Sequence, residues 1–276
     1  MPNSQEGSVA NNPNAICLAL ADKIDNILSL FIVGERVSSS KDPYAIRRSA
    51  IGIIRIIIEN ELRVPINVVL EKVINQYDVQ IRKHKKAPIA EDFKNLKIYL
   101  RELFLEFLLD RFKIYIKSQN IRADVVNAVF ANLKSFDLLN ILLQIKTLEA
   151  VIETDWGQDI LSFYKRCHNI CADAERKDGV SYLKRPQRLA LRLDVEKELF
   201  AEYKIVNKNL KKLLKKSSFG ESLRLIAGLS VYVNNFFDKV VVNDEDKFLR
   251  RNRLKLLANI CNLVNNYADF NRIEFK

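Results

Sequence analysis

Glycine and proline are scarce and dispersed in this chain, and their scarcity constrains the fold more than any other feature. The 276 residues include seven Gly and six Pro, with no Gly/Ser-rich or Pro-rich tract. A sheet-based fold needs many tight turns, which these two residues usually supply. Nearly half of the residues, 48%, are apolar, which is enough to bury a large core. The composition therefore predicts long helices in an all-α, multi-helix bundle.

Apolar residues recur with helical spacing along most of the chain. Ile16, Ile24 and Phe31 mark one face of a first helix, from Pro13 to about Glu35. The spacing predicts further helices over roughly 43–60, 65–83, 91–118, 123–132, 188–215, 219–234 and 244–267, with Asp137 and Asp155 as N-caps of two more. Ala172 to Gln187 is charged and is predicted to be an exposed loop. Strand signals are confined to Lys239 to Asn243.

The charge balance points to a polyanionic partner. The chain has 45 Lys and Arg against 34 Asp and Glu, a formal net charge of +11. Such a charge attracts nucleic acid or anionic lipid, although an excess of solvating lysines is the alternative. The sequence has no apolar run of about 18 residues, and residues 1–14 lack the apolar core of a signal peptide. We therefore expect a cytoplasmic protein, with nucleic acid as the leading partner class.

Motifs of common catalytic sites are missing from the sequence. No G-x-x-x-x-G-K-[ST], G-x-G-x-x-G, G-x-S-x-G or H-E-x-x-H segment occurs. The histidines, His84 and His168, are far apart, which favours surface or packing roles over metal binding. Asp22 and Asp25 could act as paired carboxylates, but their spacing beside Lys23 is more typical of a solvated helix face. We expect no catalytic residue, metal or cofactor in this chain.

The four cysteines, Cys17, Cys167, Cys171 and Cys261, lie in apolar helical segments. Cys167 and Cys171 are one helical turn apart and could present two thiolates on one face. A second pair of ligands is missing, and both positions fit the apolar face of their helix. The sequence therefore predicts reduced, buried thiols.

Basic residues cluster in the second half of the chain. Six lysines lie between residues 204 and 216 without an acid, mostly on one helical face and opposite Val206 and Leu210. Such like charges repel one another, so a phosphate backbone would gain by neutralising them, although a single cluster can also be a solvated face. Two shorter groups lie near residues 165 and 250. The residues predicted to contact nucleic acid are Lys165, Arg166, Lys208, Lys211, Lys212, Lys215, Arg250, Arg251 and Arg253.

Six blocks of sequence follow the pattern of one family. The first two are ALADKID at 19–25 and KDPYAIRR at 41–48, the latter followed by Gly52 and Arg55. The others are DVVNAV at 124–129, KRCHNI at 165–170, FFDKVVV at 236–242 and LRRNRL at 249–254. Their order is the family's order, and together they cover nearly the whole chain. In these blocks the chain resembles the beta subunit of bacterial glycyl-tRNA synthetase, in its C-terminal part.

The resemblance implies a domain organisation and a role. Residues 1–35 would close a degenerate HD-like domain, 36–120 would be a helical connecting region, and 121–276 would be a helical anticodon-binding domain of the DALR type. In that family this domain grips the anticodon stem-loop of tRNA(Gly), while the alpha subunit activates glycine with ATP and Mg²⁺. The implied function is the tRNA-binding, non-catalytic part of glycine-tRNA ligase, and the implied partners are tRNA(Gly) and the alpha subunit in an alpha2beta2 assembly.

The sequence departs from the family in three ways. The lysines from 204 to 216 are not a family pattern, so they either supplement RNA affinity or form a solvated face. The histidines of an HD-like fold and the family's N-terminal modules are not in the sequence, which implies a fragment or a split gene product. The alternative function from another class is a helical protein-interaction module whose basic faces meet an acidic subunit, without direct RNA binding.

Overall fold

Helices form the structure throughout the described residues. The computed structural model describes residues 7–34, 42, 44–83 and 93–274, and within these ranges it contains no β-strand. The all-α prediction is thereby confirmed. The chain divides into two compact units, one of residues 1–120 with 134–142 and one of residues 121–133 with 143–276. The three-part domain organisation implied by the family stays a prediction.

The first unit packs four long helices around an aliphatic core. These helices are α1 (Pro13–Ile32), α2 (Ile46–Glu59), α3 (Ile66–Lys83) and α4 (Phe93–Lys117), joined by the beginning of α6 (Leu138–Ile152). Helix α1 packs on α2 and α4, and α3 packs on α4. The buried face of α2 is almost entirely isoleucine: Ile46, Ile53, Ile54, Ile56 and Ile57.

The first two sequence blocks meet between α1 and α2. The aliphatic part of Lys23 passes so close to Gly52 that a Cβ at residue 52 would lie 2.6 Å from Lys23 Cε. Nearby, Asn26 Nδ2 donates a hydrogen bond to Ser49 Oγ at 3.1 Å. A larger side chain at residue 52 would displace Lys23. The two blocks are therefore packing partners, and the glycine allows the side chain of Lys23 to approach α2.

Helix α2 begins later than the sequence predicts. The Asp42-Pro43 pair was expected to start it, but the helix begins at Ile46, after Ala45 in the left-handed region at φ 56°. Pro43 lies outside the described residues. Asp42 still serves the start of the helix, because its Oδ1 accepts a hydrogen bond from the backbone N–H of Arg47 at 3.3 Å.

The second unit is a helical bundle built around α7. Helix α7 (Asp155–Asp178) packs along α11 (Lys247–Asn265), and α8 (Asp194–Lys215) packs against α9 (Phe219–Ala227) and α10 (Leu229–Lys239). Helix α5 (Ala123–Phe130), the rest of α6, and short 3-10 turns at Arg188–Ala190 and Phe270–Arg272 complete this unit. Its largest fully buried side chains are Phe163, Phe236 and Tyr267.

Helix α7 extends into a segment that was predicted to be a loop. The prediction placed Ala172 to Gln187 in a loop, but the helix runs to Asp178 and ends at Gly179, which adopts φ 66°. Cys171 and Ala174 are buried, so the charged residues around them are the solvent face of a helix. The prediction was wrong because the charged residues were taken as a sign of an irregular segment. Gly179 is the residue that marks the C-terminal end of the helix.

The predicted helix caps are partly right. The carboxylate of Asp137 accepts a hydrogen bond from the first turn of α6, which confirms it as a cap. At α7 the cap is Thr154 and not Asp155, and α11, which was predicted to begin near residue 244, is capped by Asp246. The cap positions are therefore displaced by one and two residues, a normal uncertainty for sequences rich in capping side chains.

Three further predicted elements differ from the structure. The helix predicted over 188–215 is a 3-10 turn at Arg188–Ala190 followed by α8, and the helix predicted over 219–234 is α9 and the start of α10. The strand candidate Lys239 to Asn243 is the end of α10 and an irregular segment. Its apolar residues serve the core instead, since Val240 and Val242 are buried.

Three of the four thiols lie in the core as predicted. Cys167, Cys171 and Cys261 are buried in the second unit, and burial raises the pKa of Cys167 and Cys171 well above the usual thiol value. The prediction was wrong for Cys17, which is exposed. Ile16 and Ala19 take the core positions of α1 at this point, so Cys17 is on the other face of the helix.

Candidate nucleic-acid interface

The lysines of α8 form one exposed stripe. At about 100° per residue, five of them lie within about 40° of a single line along the helix, and a sixth lies beside that line. All six are exposed: Lys197, Lys204, Lys208, Lys211, Lys215 and, beside the line, Lys212. The opposite face carries Leu199, Val206 and Leu210, each fully buried. The apolar core therefore fixes which way the ammonium groups face.

This lysine stripe has little internal compensation. From Lys197 to Lys215 it is about 27 Å long at 1.5 Å per residue. Glu202 is the last acid of the helix, and residues 203–216 contain none. Lys197, at the beginning of the stripe, pairs with Asp194 at 2.9 Å. The rest of the stripe is a row of like charges that a nucleic-acid backbone can neutralise.

The second predicted cluster is on α7, where Lys165 and Arg166 are both exposed. The guanidinium carbon of Arg166 lies 4.0 Å from the centroid of the Phe237 ring of α10, a cation–π geometry. Stacking holds the plane of the guanidinium while its edge stays accessible to solvent. An arginine in this arrangement can still donate to a phosphate.

Arg250, in the third predicted cluster, is held by neighbouring polar groups. It donates to Asp178 Oδ2 at 2.6 Å and to Asn243 Oδ1 at 3.1 Å. The hydrogen bond to Asp178 is the main reason that the pKa of Arg250 is raised. The hydroxyl of Tyr182 donates to the same carboxylate at 2.5 Å. Arg250 thus ties α11 to the C-terminal end of α7.

Arg253 is buried, and its predicted role as a phosphate contact is corrected. Its guanidinium is 6% exposed and donates to Glu196 Oε1 and Asp244 Oδ2, each at 2.6 Å. It also donates to the carbonyl of Val241 at 3.0 Å. A phosphate could reach this group only by displacing Glu196, which is fully buried, and Asp244, which is partly exposed. The sequence could not show this, because the burial of an arginine depends on contacts with residues that are distant in sequence.

The remaining residues of the LRRNRL block divide between surface and scaffold. Arg251 is exposed on α11. Asn252 is buried and holds the backbone of Gln187 at two points, accepting from its N–H at 2.7 Å and donating to its carbonyl at 3.1 Å. The block therefore supplies three scaffold contacts, through Arg250, Asn252 and Arg253, and one exposed cation.

A pocket that the sequence did not indicate opens beside the beginning of the stripe. Its volume is about 360 Å³, and it lies between the Arg188–Ala190 turn and α8. Leu191, Phe200 and Ala201 provide apolar lining, and the charged residues that line it are Arg188, Lys197, Glu198 and Lys204. No local signal could have indicated it, because its walls come from two elements that only the fold brings together.

The described residues include neither a metal-binding cluster nor a membrane-spanning helix. Among the described residues, no group of three or more His, Cys, Asp or Glu side chains could hold a metal ion. Nor is any of the described helices both long and apolar enough to cross a membrane. His168 stacks on Tyr164, with ring centroids 5.7 Å apart, and His84 lies outside the described residues.

The comparison with known families agrees with this geometry. Residues 160–271 match the family described as DALR anticodon binding domain. These residues, which include the lysine stripe, therefore form an anticodon-binding domain of the DALR type. Residues 1–131 match the family described as glycyl-tRNA synthetase beta subunit. The chain belongs to the glycyl-tRNA synthetase beta subunit family.

Curated relatives in several bacteria support the same assignment. The chain is 33% identical to a glycine-tRNA ligase beta subunit of Cereibacter sphaeroides, over 99% of the chain and 38% of the relative. It is 35% identical to that of Rhodospirillum centenum, over 96% and 35%, and 36% identical to that of Rickettsia canadensis, over 95% and 36%. The chain thus spans less than two fifths of the length of these relatives.

Proposed function

We propose that this chain is the tRNA-gripping part of a cytoplasmic glycine-tRNA ligase. In this proposal it holds the anticodon stem-loop of tRNA(Gly), while the alpha subunit, in an alpha2beta2 assembly, attaches glycine with ATP and Mg²⁺. The chain carries no part of the acylation chemistry. Its contribution is to position the tRNA, which raises the effective concentration of the acceptor end at the active site of another polypeptide.

One observation supports the proposal most strongly. The lysine stripe of α8 lies within the segment that matches an anticodon-binding domain, and the buried face of α8 directs it to solvent. A solvated face with no partner would gain from interspersed acids, which residues 203–216 lack. Phosphates fix the position of a nucleic acid, so the stripe explains affinity.

The direct test is a binding titration with two RNAs. One is a tRNA(Gly) transcript, and the other is the same transcript with its anticodon loop replaced, each titrated against the chain with and without the alpha subunit. We expect the chain to bind the first RNA more tightly, because base identity is read at unpaired nucleotides while the stem contacts are shared. The alpha subunit should not be needed for this preference.

The competing function, a protein-interaction module, makes the opposite prediction. Such a module would bind the alpha subunit but show no preference between the two transcripts. An ATP–pyrophosphate exchange assay on the chain alone supplies an independent check. Exchange that depends on glycine in the absence of the alpha subunit would contradict the non-catalytic role.

A further inference from the structure

The pocket beside the lysine stripe has an apolar lining and a cationic edge. Its lining near Leu191 and Phe200 is apolar, and these two side chains are only 4% and 6% exposed. Its edge carries three cationic residues, Arg188, Lys197 and Lys204. A volume of about 360 Å³ is within the range of small-molecule sites, roughly 300–1,000 Å³.

Contacts within the chain involve two of the cations and the backbone next to the third. The ammonium of Lys204 lies 4.9 Å from the centroid of the Phe200 ring, and Lys197 pairs with Asp194. Arg188 follows Gln187, whose backbone Asn252 holds at two points. The backbone of this wall is therefore fixed, and the exposed ion pair of Lys197 is weak enough to exchange for a phosphate.

A neighbouring side chain extends the apolar surface beside the pocket. Leu189, in the turn that forms one wall, is 95% exposed. Apolar lining beside cationic side chains suits a ligand with a flat apolar part and an anionic part. An unpaired nucleotide has both, namely a base and a phosphate.

We propose that this pocket binds one unpaired nucleotide of the RNA whose backbone follows the lysine stripe. The base enters against the apolar lining, and Arg188, Lys197 and Lys204 hold the adjoining phosphate. The lysine stripe begins at this pocket, so the next phosphates of the same strand meet Lys208 and Lys211. This inference rests on the proposed function, since it presumes that the chain binds RNA.

The remaining charged residue of the lining predicts which bases are favoured. The carboxylate of Glu198 is only an acceptor of hydrogen bonds, so it pairs with a base that presents an amino group. Cytosine presents an amino group at position 4, whereas uracil presents a carbonyl oxygen there, which the carboxylate repels. We therefore expect the pocket to prefer cytidine to uridine.

The first experiment fills the pocket without changing its charge. Ala201→Leu adds a branched apolar side chain to the lining at an exposed position of α8, and Ala150→Leu makes the same change at an exposed position of α6. With the tRNA(Gly) transcript, we expect Ala201→Leu to weaken binding by about 10-fold and to keep the salt dependence of the parent. Ala150→Leu should bind like the parent, and both variants should retain the parent's unfolding midpoint.

The second experiment tests base selection with short probes. Hexacytidylate should bind the parent chain about 10-fold more tightly than hexauridylate, and Glu198→Gln should remove most of that preference, because an amide both donates and accepts. Binding of the tRNA by Ala201→Leu as tight as by the parent would overturn the pocket assignment and leave the proposed function standing. Equal binding of the two hexanucleotides to the parent would overturn the role of Glu198. A parent chain that binds no tRNA would overturn the proposed function, and the pocket with it.

Discussion

The guanidinium of Arg253 and the carboxylate of Glu196 form an ion pair inside the second unit, with Nε 2.6 Å from Oε1 and side chains 6% and 0% exposed. The other oxygen of Glu196 accepts hydrogen bonds from the backbone N–H groups of Arg192 and Leu193, at 2.6 and 2.8 Å. One carboxylate thus closes the N-terminus of α8 and binds it to α11. The pair therefore anchors the first turn of the helix that carries the lysine stripe.

Removing the arginine should destabilise the fold. Arg253→Met keeps the side-chain volume but leaves Glu196 buried without its charged partner, and we expect a loss of about 3–5 kcal/mol in the free energy of unfolding, measured with urea. The matched control is Lys197→Met, which breaks the exposed pair with Asp194 and should change stability little. Equal effects of the two substitutions would show that the Arg253 pair is not structural.

The contact between Asp178 and Arg250 should make the free energy of unfolding depend on pH in the acid range. Hydrogen bonds from Tyr182 and then Arg250 hold the pKa of Asp178 below its ordinary value of 3.8. A lowered carboxyl pKa in the folded state stabilises the protein above the unfolded-state pKa, and this contribution disappears as the pH falls through the folded-state pKa.

The measurement is the unfolding midpoint of the parent and of Asp178→Asn across the acid range. We expect the parent to be the more stable protein at neutral pH, by an amount that stays constant down to about pH 5. The difference should shrink as the pH falls below about 4. A difference that persists unchanged to about pH 2 would mean that ionisation of Asp178 does not contribute.

The close approach of α7 to α6 should make one glycine irreplaceable. A Cβ at Gly157 would lie 1.9 Å from the carbonyl oxygen of Val151, so the backbone would have to move. We expect Gly157→Ala to lower the free energy of unfolding by at least about 1–3 kcal/mol. Gly220→Ala in α9 meets nothing within 4 Å and should instead stabilise the chain by about 0.5–1 kcal/mol, since alanine favours the helix. A thermal or urea melt of both variants checks the opposite signs.

Much of this fold follows from the sequence, because helical periodicity and scarce turn residues are local signals. The bounds of α3 and α4 lie within two residues of the prediction. The end of α7 was misplaced because a charged segment was taken for a loop. In the structure Ala174 is buried, and the charged residues around it form the solvent-facing side of a helix. Burial depends on distant helices, which periodicity within a single helix does not reveal.

The candidate site was predictable in part for the same reason. The stripe on α8 is a property of one helix, so spacing alone identified most of its lysines. Whether Arg250 and Arg253 are available to a ligand depends mainly on the carboxylates of Asp178 and Glu196, which are far away in sequence. The pocket was missed because its walls come from a turn and a helix whose meeting only the fold determines.

The lysine stripe should account for much of the salt dependence of RNA binding. Replacing Lys208, Lys211 and Lys215 with glutamine removes up to three phosphate contacts. We expect the slope of log affinity against log salt to fall in magnitude by about 2–3, at about 0.7–0.9 per phosphate. The control replaces three exposed lysines that belong to other helices, namely Lys72, Lys117 and Lys146. An unchanged slope in the stripe variant, or an equal loss in the control, would count against the stripe.

The central claim, that this chain holds the anticodon stem-loop of tRNA(Gly), is tested most directly by hydroxyl-radical footprinting of that tRNA with the complete enzyme, alpha subunit included. We expect protection of the anticodon stem-loop, and loss of that protection when Lys208, Lys211 and Lys215 are replaced by glutamine. An anticodon stem-loop that is cleaved equally in the free and the bound tRNA would contradict the claim.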